Sequence, residues 1–296
     1  MRRLSILFIL VAFVFVGYSQ DTPVKKVMLV DKFTRASKVS ENYANMLRNA
    51  IISGIENTGQ ITVIDVNSEE ALKLEAERRA AESAISDATA RTEMMTTKGA
   101  QLIMTGDITE MSGIKKKFDD GSIYYDGLIN FSLKVTNASD GTVKASKNFT
   151  YSGLNAKTGS TPQDAVLNTT DYIKISMRKF VRDNFPLEAT VLSIEKINKK
   201  KEAEIVYINC GSSFGIDKGH TFDVKVEREV AGKTVQPIVG KLKVTEVHGE
   251  DMALAKVVKG GSEIKKAFDE GRKIILIHTG GSALKGIGEG VGAFFK

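Results

Sequence analysis

Long helix-forming patterns occur only before about residue 187, and the rest of the chain reads mostly as short strands, with one short segment, SEIKKAF, set apart from them. In the first part, the strand-like run VMLVDKF is followed by SENYANMLRNAIISGIE, whose apolar residues recur at helical spacing and which Ser40 or Ser37 can cap. A β-branched run, ITVIDV, an alanine- and charge-rich helix from Ser68 to Lys98 and a third apolar strand, AQLIMTGDI, come next. Strands that alternate with helices predict a sheet with helices packed on it.

Beyond the third strand the pattern predicts antiparallel hairpins. Turn sequences at Asp119-Asp120-Gly121 and Asp140-Gly141 separate the strand-like runs DITEMSGIKKKF, LINFSLKVTN and TVKASKNFTYSG. In the middle run apolar residues alternate with polar ones, and we expect the apolar face to cover a helix. A last long helix begins near Pro162 and ends at Phe185-Pro186, and Tyr172 and Ile175 are among its predicted apolar positions.

The region after residue 187 contains short strands divided by turns, such as AEIVYINC, HTFDVKVERE and KIILIH. Strands at this spacing without long helices between them indicate a small barrel or sandwich. The predicted fold class is therefore an α/β N-terminal domain, with helices packed on a mixed sheet, followed by a small all-β barrel-like domain. The expected divisions are a signal peptide (1–19), the α/β domain (20–187), the barrel (188–278) and a glycine-rich tail (279–296).

The N-terminus has the features of a secretory signal. Arg2 and Arg3 precede an almost entirely apolar run from Leu4 to Val16, and small residues follow up to Ser19. Cleavage after Ser19 leaves Gln20 at the mature N-terminus, and the apolar run is too short to span a bilayer comfortably. We expect an exported chain in the periplasm or at the periplasmic face of the outer membrane. Because the signal contains no cysteine, we expect no lipid anchor.

Charge and cysteine content narrow the function classes. Loss of two signal arginines lowers the net charge from +6 to +4, and so small a surplus does not indicate nucleic-acid binding. The single cysteine, Cys210, excludes an internal disulfide framework. It lies in the apolar strand pattern EIVYINC, which favours a buried, unreactive thiol.

We find no constellation of residues that predicts catalysis. The three histidines, His220, His248 and His278, lack the spacing of a zinc site, and no phosphate-binding loop or serine-hydrolase elbow is present. The glycines from Gly286 to Gly292 follow no βαβ opening, so a flexible tail is the better interpretation. The prediction is a protein that is not an enzyme and that has no catalytic residues, no metal and no cofactor.

Several acidic residues lie where functional groups often occur, but each also has a structural interpretation. Asp31 and Asp65 follow the first two strands, a position that ligand-binding residues occupy in open α/β sheets. No base or nucleophile accompanies them, which favours a role in ending strands and capping helices. Asp107 is interpreted as a turn residue, and Asp119-Asp120 as a hairpin turn and not a calcium loop.

Two surface features are candidates for binding. Lys115, Lys116 and Lys117 precede a turn opposite Tyr124 and Tyr125, which combines positive charge with aromatic rings suited to an anionic envelope polymer or lipid headgroup. The plainer interpretation is a hairpin tip kept in solution by lysine. At the other end of the chain, Phe294-Phe295 after the glycine-rich segment is suited to docking in a partner groove.

The order of these segments resembles the CsgG-like family of bacterial envelope proteins. The resemblance covers roughly residues 26–155 and rests on VMLVDKF, SENYANMLRNAIISGIE, ITVIDV, LKLEAERRAAESA, GAQLIMTGDITEM and DGTVKASKNF. GSSFGIDKGHTFDV and GKLKVTEVHGEDMALAKVV are similar to the small C-terminal barrel of flagellar-envelope proteins of the FlgT type. The family includes the curli secretion channel, activators of cell-wall synthases and flagellar accessory proteins, none of them enzymes.

The chain departs from the channel members of this family in two ways. Those members carry a lipid on an N-terminal cysteine, which has no counterpart here. They also pair long hairpins with outward apolar faces, whereas the run from Ile108 to Val135 is interrupted by Lys115–Lys117 and Asp119-Asp120. A membrane strand needs about ten residues with an unbroken apolar face, so a pore-forming hairpin is disfavoured.

The resemblance implies an exported, non-enzymatic protein of assembly, secretion or scaffolding at the periplasmic face of the outer membrane. Its expected partners are envelope proteins, in a homo-oligomer or a hetero-complex, with contact to the cell wall or outer membrane and none to nucleic acid. One alternative is a periplasmic protein that binds a small molecule or polysaccharide, in a pocket lined by Asp31 and Asp65. A secretion channel is a third option. The partner, the cargo and the number of subunits are not encoded in any motif of the sequence.

Overall fold

A computed structural model describes residues 23–68 and 99–281. The predicted signal with its cleavage site at Ser19 and Gln20, all but the first residue of the predicted helix over 68–98, and Phe294-Phe295 lie outside the described residues. Within them, the chain is mixed α/β and consists mostly of strands with a few helices.

The first sheet begins with a parallel part, as the alternation of strands and helices predicts. Strand β1 (Lys26–Val30) lies between β3 (Ile61–Asp65) and the long strand β4 (Leu102–Lys117) and runs parallel to both. The two-residue strand β2 (Thr34–Arg35) also pairs with β4. Helix α1 (Glu41–Glu56) connects β2 to β3, and its N-cap is Ser40, whose hydroxyl accepts a hydrogen bond from Tyr43 N.

The second part of this sheet is antiparallel. Strand β5 (Ile123–Asn137) pairs with β4 along almost its whole length, and β6 (Val143–Tyr151) follows at the edge. The short strand β7 (Thr158–Gly159), which follows a 3-10 turn, pairs with the start of β5. The sheet order is therefore β3-β1-β4-β5-β6, with β2 and β7 as additions.

Two helices cover one face of the first sheet and form its core. Helix α2 (Pro162–Asn184) starts with a capping box between Thr161 and Asp164, and proline occupies its first turn. Its apolar stripe meets α1 and the inward face of β5, as predicted for that alternating strand. The largest fully buried side chains at this contact include Leu47, Ile51, Ile129, Leu133, Ile173 and Phe180.

Two apolar residues of α2 do not belong to the buried stripe, although the spacing predicts that they do. Tyr172 and Ile175 are exposed. The helix turns about 100° per residue, so these positions lie off the line of Val166, Ile173 and Met177 that faces the sheet.

The second sheet is antiparallel, contains seven strands and has a separate hydrophobic core. Its order is β8-β16-β11-β14-β15-β10-β9. The strands are β8 (Glu188–Ala189), β9 (Val191–Ile197), β10 (Ala203–Ile208), β11 (Thr221–Val226), β14 (Ile238–Val247), β15 (Ala253–Lys259) and β16 (Ile274–Gly280). Strands β12 (Arg228–Val230) and β13 (Lys233–Val235) form a separate exposed hairpin, and Ser212–Phe214 form a 3-10 turn.

This sheet curls into a half-barrel. Strands β8 and β9 lie at its opposite edges, yet only Thr190 separates them in the chain. Thr190 Oγ1 donates to Ile274 O (2.8 Å), and Thr190 N donates to Asn209 Oδ1 (2.7 Å), so this residue joins the two edges. Helix α3 (Gly261–Asp269) packs on the core through Ile264 and Ala267. The division of the chain into two independently folding domains stays a prediction.

Among the described residues, no helix combines the length and the apolar character that a membrane crossing requires.

Candidate functional site

The β4–β5 hairpin continues past the strands that flank it. Strand β6 pairs with β5 only from Ile129 onward, and β1 pairs with β4 only from Leu102 to Met104. Near the turn, β7 contributes two residue pairs, to Tyr125 and Asp126. We call residues 114–125 the arm. It is a two-stranded ribbon whose far end has no neighbouring strand among the described residues.

The arm presents apolar and basic side chains together. Ile114, Phe118 and Ile123 are 41%, 54% and 50% exposed. Lys115 lies opposite Tyr125 and Lys116 opposite Tyr124, whereas Lys117 lies opposite Ile123. The ring centroids of Phe118 and Tyr124 are 4.2 Å apart. The binding role predicted for Lys115–Lys117, Tyr124 and Tyr125 stays a prediction, but the hairpin does bring these residues together in the arm.

Both faces of the arm are mixed in character. Because successive side chains of a strand point to opposite faces, Ile114, Lys116 and Phe118 share one face and Lys115 and Lys117 the other. Neither face has the unbroken apolar row of a membrane strand. The turn closes as predicted, because Asp120 Oδ1 accepts hydrogen bonds from Ser122 N (2.8 Å) and Ser122 Oγ (2.7 Å). These hydrogen bonds lower the pKa of Asp120.

Asp65 and Asp31 lie beside a buried arginine. Arg48 extends from α1, with its side chain 4% exposed, and its Nη2 donates to Asp65 Oδ1 (2.6 Å) and Val30 O (2.7 Å). Arg48 Nε donates to Asp31 O (3.0 Å). Burial alone would raise the pKa of Asp65, but the hydrogen bonds from Arg48 and Asn67 and the guanidinium charge lower it below 3.8. These contacts agree with the structural interpretation of both aspartates.

Asp107 is not a turn residue. It lies inside β4, where it pairs with Ser132 and with Thr34 of β2. Its carboxylate accepts a hydrogen bond from Thr34 Oγ1 (2.6 Å). The sequence indicated a turn because Gly106 precedes it. In the structure that glycine instead makes room for the Phe33 ring, which would lie 2.6 Å from a Cβ at this position.

Two histidines that are distant in the sequence meet where the two sheets face each other. His278 Nε2 lies 3.1 Å from His220 Nδ1, and Gln60 Nε2 donates to His278 Nδ1 (2.8 Å). Because His278 Nδ1 accepts, its proton is on Nε2 and is donated to His220. Burial, with smaller contributions from His220 and Arg182, lowers the pKa of His278 to about 3.

This chain of hydrogen bonds was missed at the sequence level. Gln60 and His278 are 218 residues apart, and no local pattern relates them. The described residues contain no group of three or more metal-binding side chains, and His248 lies apart from the pair, 5.8 Å from the Tyr207 ring. Cys210 is buried, and burial raises the pKa of its thiol to about 12, so the thiol stays protonated at neutral pH.

A cleft of about 740 Å³ lies between the two sheets. Its wall includes Gln60 and Lys26 from the first sheet, the connecting segment 185–192, and Arg272 and Lys273 before β16. Gln60 is 8% exposed, and its Oε1 has no hydrogen-bond partner among the described residues. Asp31 and Asp65, around which the sequence suggested a ligand pocket, do not line this cleft.

No family model and no curated protein sequence matches the chain. Among solved structures, it is similar to the PelC dodecamer from Paraburkholderia phytofirmans, with 14% identity and a TM-score of 0.32 over 55% of this chain and 91% of that one. It is also similar to the LpoB C-terminal domain from Escherichia coli, with 14% identity and a TM-score of 0.31 over 47% and 90%. Lipoprotein GNA1162 from Neisseria meningitidis has 11% identity and a TM-score of 0.31 over 43% and 83%. With scores this low, we draw no functional conclusion from them.

Proposed function

We propose that this chain is a non-enzymatic, exported protein of the cell envelope that acts in assembly, secretion or scaffolding at the periplasmic face of the outer membrane. The CsgG-like order of its first five segments and the signal-like N-terminus support this role. The observation that carries the proposal is the arm, through which the protein contacts an envelope partner or a second copy of itself.

The physical argument is the cost of leaving the arm uncovered. The arm exposes three apolar side chains to water, those of Ile114, Phe118 and Ile123, and none of them belongs to the hydrophobic core. Phe118 lies against Tyr124 on the face of Ile114, and Ile123 lies on the other face beside Lys117, so both faces of the arm expose apolar side chains. Aromatic residues such as these are enriched in contact sites. The neighbouring Lys115, Lys116 and Lys117 favour a partner with an acidic surface and keep the free arm from pairing with other strands.

Crosslinking in intact cells tests this proposal. A photoreactive amino acid at Lys116 is expected to capture one defined envelope protein or a second copy of the chain. The double variant Phe118→Ser/Ile123→Ser is expected to abolish the product, because it removes the apolar contact and leaves the lysines in place.

A matched control is Val143→Ser/Val258→Ser, which removes two apolar side chains of similar exposure, 54% and 60%, away from the arm. This control should keep the crosslink, and circular dichroism melts should show that both variants fold. A crosslink of equal yield in the arm variant, or no product from Lys116, contradicts the proposal.

The alternative is a small-molecule or polysaccharide-binding protein, for which the sequence offered Asp31 and Asp65. In the structure Arg48 binds the carboxylate of Asp65 and the backbone carbonyl of Asp31. The cleft between the sheets is a different feature with its own lining residues.

A further inference from the structure

We propose that the cleft between the two sheets is a binding site for a small amphiphilic ligand, in which an apolar group is attached to an amide N–H next to a carboxylate. This site is separate from the arm, and the proposal does not depend on the arm binding a partner. Three properties of the cleft, its size, its charge and one buried acceptor, specify the ligand.

The size and apolar lining of the cleft suit a small molecule. Its volume of about 740 Å³ falls in the range of about 300–1,000 Å³ that small-molecule sites occupy. The walls that Phe185, Leu187, Phe268 and Ile275 contribute are aromatic or aliphatic, and they come from the segment after α2, from α3 and from β16. Such walls favour an acyl chain or apolar side chain in the body of the ligand.

The residues that line the cleft carry a net positive charge, which favours an anionic ligand. Lys26, Arg272 and Lys273 line it against a single carboxylate, Glu188. Arg272 already has a carboxylate beside it, because its Nε lies 2.7 Å from Glu270 Oε2, although this Nε makes no hydrogen bond among the described residues. Lys26 and Lys273 have no ion-pair partner among the described residues, so they offer positive charge to a ligand carboxylate.

The unpaired oxygen of Gln60 favours a ligand that carries a hydrogen-bond donor. Gln60 Oε1 is shielded from water and has no partner in the part of the chain that the structure describes. A buried polar atom without a hydrogen bond carries a free-energy cost that a ligand N–H removes. Gln60 lines the cleft and its Nε2 is held by His278 Nδ1 (2.8 Å), so a small rotation of the side chain about this hydrogen bond presents Oε1 to a ligand in the cleft.

Calorimetric titration of the full exported chain tests the site with N-decanoylglycine, which carries all three groups. The matched probe is N-decanoylsarcosine, in which one methyl group replaces the amide hydrogen. We expect one molecule of the glycine compound to bind per chain, and the sarcosine compound to bind at least about tenfold more weakly because Gln60 Oε1 then stays unpaired.

Charge variants locate the site. Lys26→Gln/Lys273→Gln should weaken binding of N-decanoylglycine by about fivefold or more. Lys259→Gln/Lys266→Gln, which makes the same charge change outside the cleft, should not alter it. The arm variant Phe118→Ser/Ile123→Ser should also bind normally, which separates failure of this proposal from failure of the arm's role.

A second probe, acetyl-Leu-Leu-Gly, carries the same amide and carboxylate on a peptide. Tighter binding of the peptide identifies a peptide terminus as the natural source of the chemistry, and tighter binding of the acyl compound identifies a lipid-like one. The proposal is wrong if neither probe binds, if the glycine and sarcosine compounds bind equally, or if the cleft lysine variant retains full affinity.

Discussion

The contact between Arg48 and Asp65 is expected to be among the most sensitive polar contacts of the first sheet. Arg48 has a side chain that is 4% exposed, and its guanidinium donates to two backbone carbonyls and to Asp65 Oδ1. Removing one partner of a fully buried ion pair costs about 3–5 kcal/mol, because the other charge is left in a poor solvent. The Asp65 side chain is 33% exposed, so water compensates partly. We therefore expect Asp65→Asn to lower the free energy of unfolding by about 2 kcal/mol.

Urea unfolding followed by circular dichroism measures this loss. The control is Asp183→Asn, which breaks the pair between Asp183 and Lys179 on the exposed side of α2 and should cost less than about 0.5 kcal/mol. If Asp65→Asn costs no more than this control, the reasoning about the buried charge is refuted.

The pH dependence gives an independent check of the same contact. Because the pKa of Asp65 is lowered in the folded state, the unfolded chain takes up this proton first as the pH falls. The stabilisation from Asp65 is complete above its unfolded pKa of about 3.9 and is lost below it. The difference in stability between wild type and Asp65→Asn should therefore be constant at neutral pH and shrink below about pH 4.

Two further perturbations follow from the described contacts. The pKa of His278 is about 3 in the folded chain, so as the pH falls below about 6.5 only the unfolded chain takes up this proton. The free energy of unfolding should therefore decrease by at most about 1.4 kcal/mol for each pH unit of acidification. Thermal melts at pH 7.5, 6.0 and 5.0 check this, and an equal slope in His278→Gln argues against it. Gly127→Ala places a Cβ 2.2 Å from Thr169 Oγ1 and should cost about 1–3 kcal/mol in urea unfolding, whereas Ser132→Ala on the outward face should be nearly neutral.

Local patterns predicted the elements of the chain well wherever the structure describes them. The apolar alternation of β5, the Ser40 cap and the proline at the start of α2 all rest on side chains a few residues apart. The same reasoning was wrong for Asp107, because a Gly-Asp pair occurs both in turns and at close contacts inside a sheet. It also placed Tyr172 and Ile175 in the core, since spacing does not show how wide the buried stripe of a helix is.

The two candidate sites differ in whether their residues are close together in the sequence. The lysines and aromatic residues of the arm are adjacent through a hairpin, so the sequence alone brought them together. The cleft and the contact of Gln60 with His278 join residues from the two sheets, and no spacing in the sequence predicts them.

The sequence by itself therefore determined the strands, the helices, their caps and the composition of the arm, because these depend on interactions between residues near each other in the chain. Only the tertiary structure decided that Arg48 is the partner of Asp65, that His220 meets His278, and that a cleft with an unpaired acceptor opens beside Gln60. These features depend on how far the second sheet curls and how it packs against the first, and both are set by many weak contacts between distant residues.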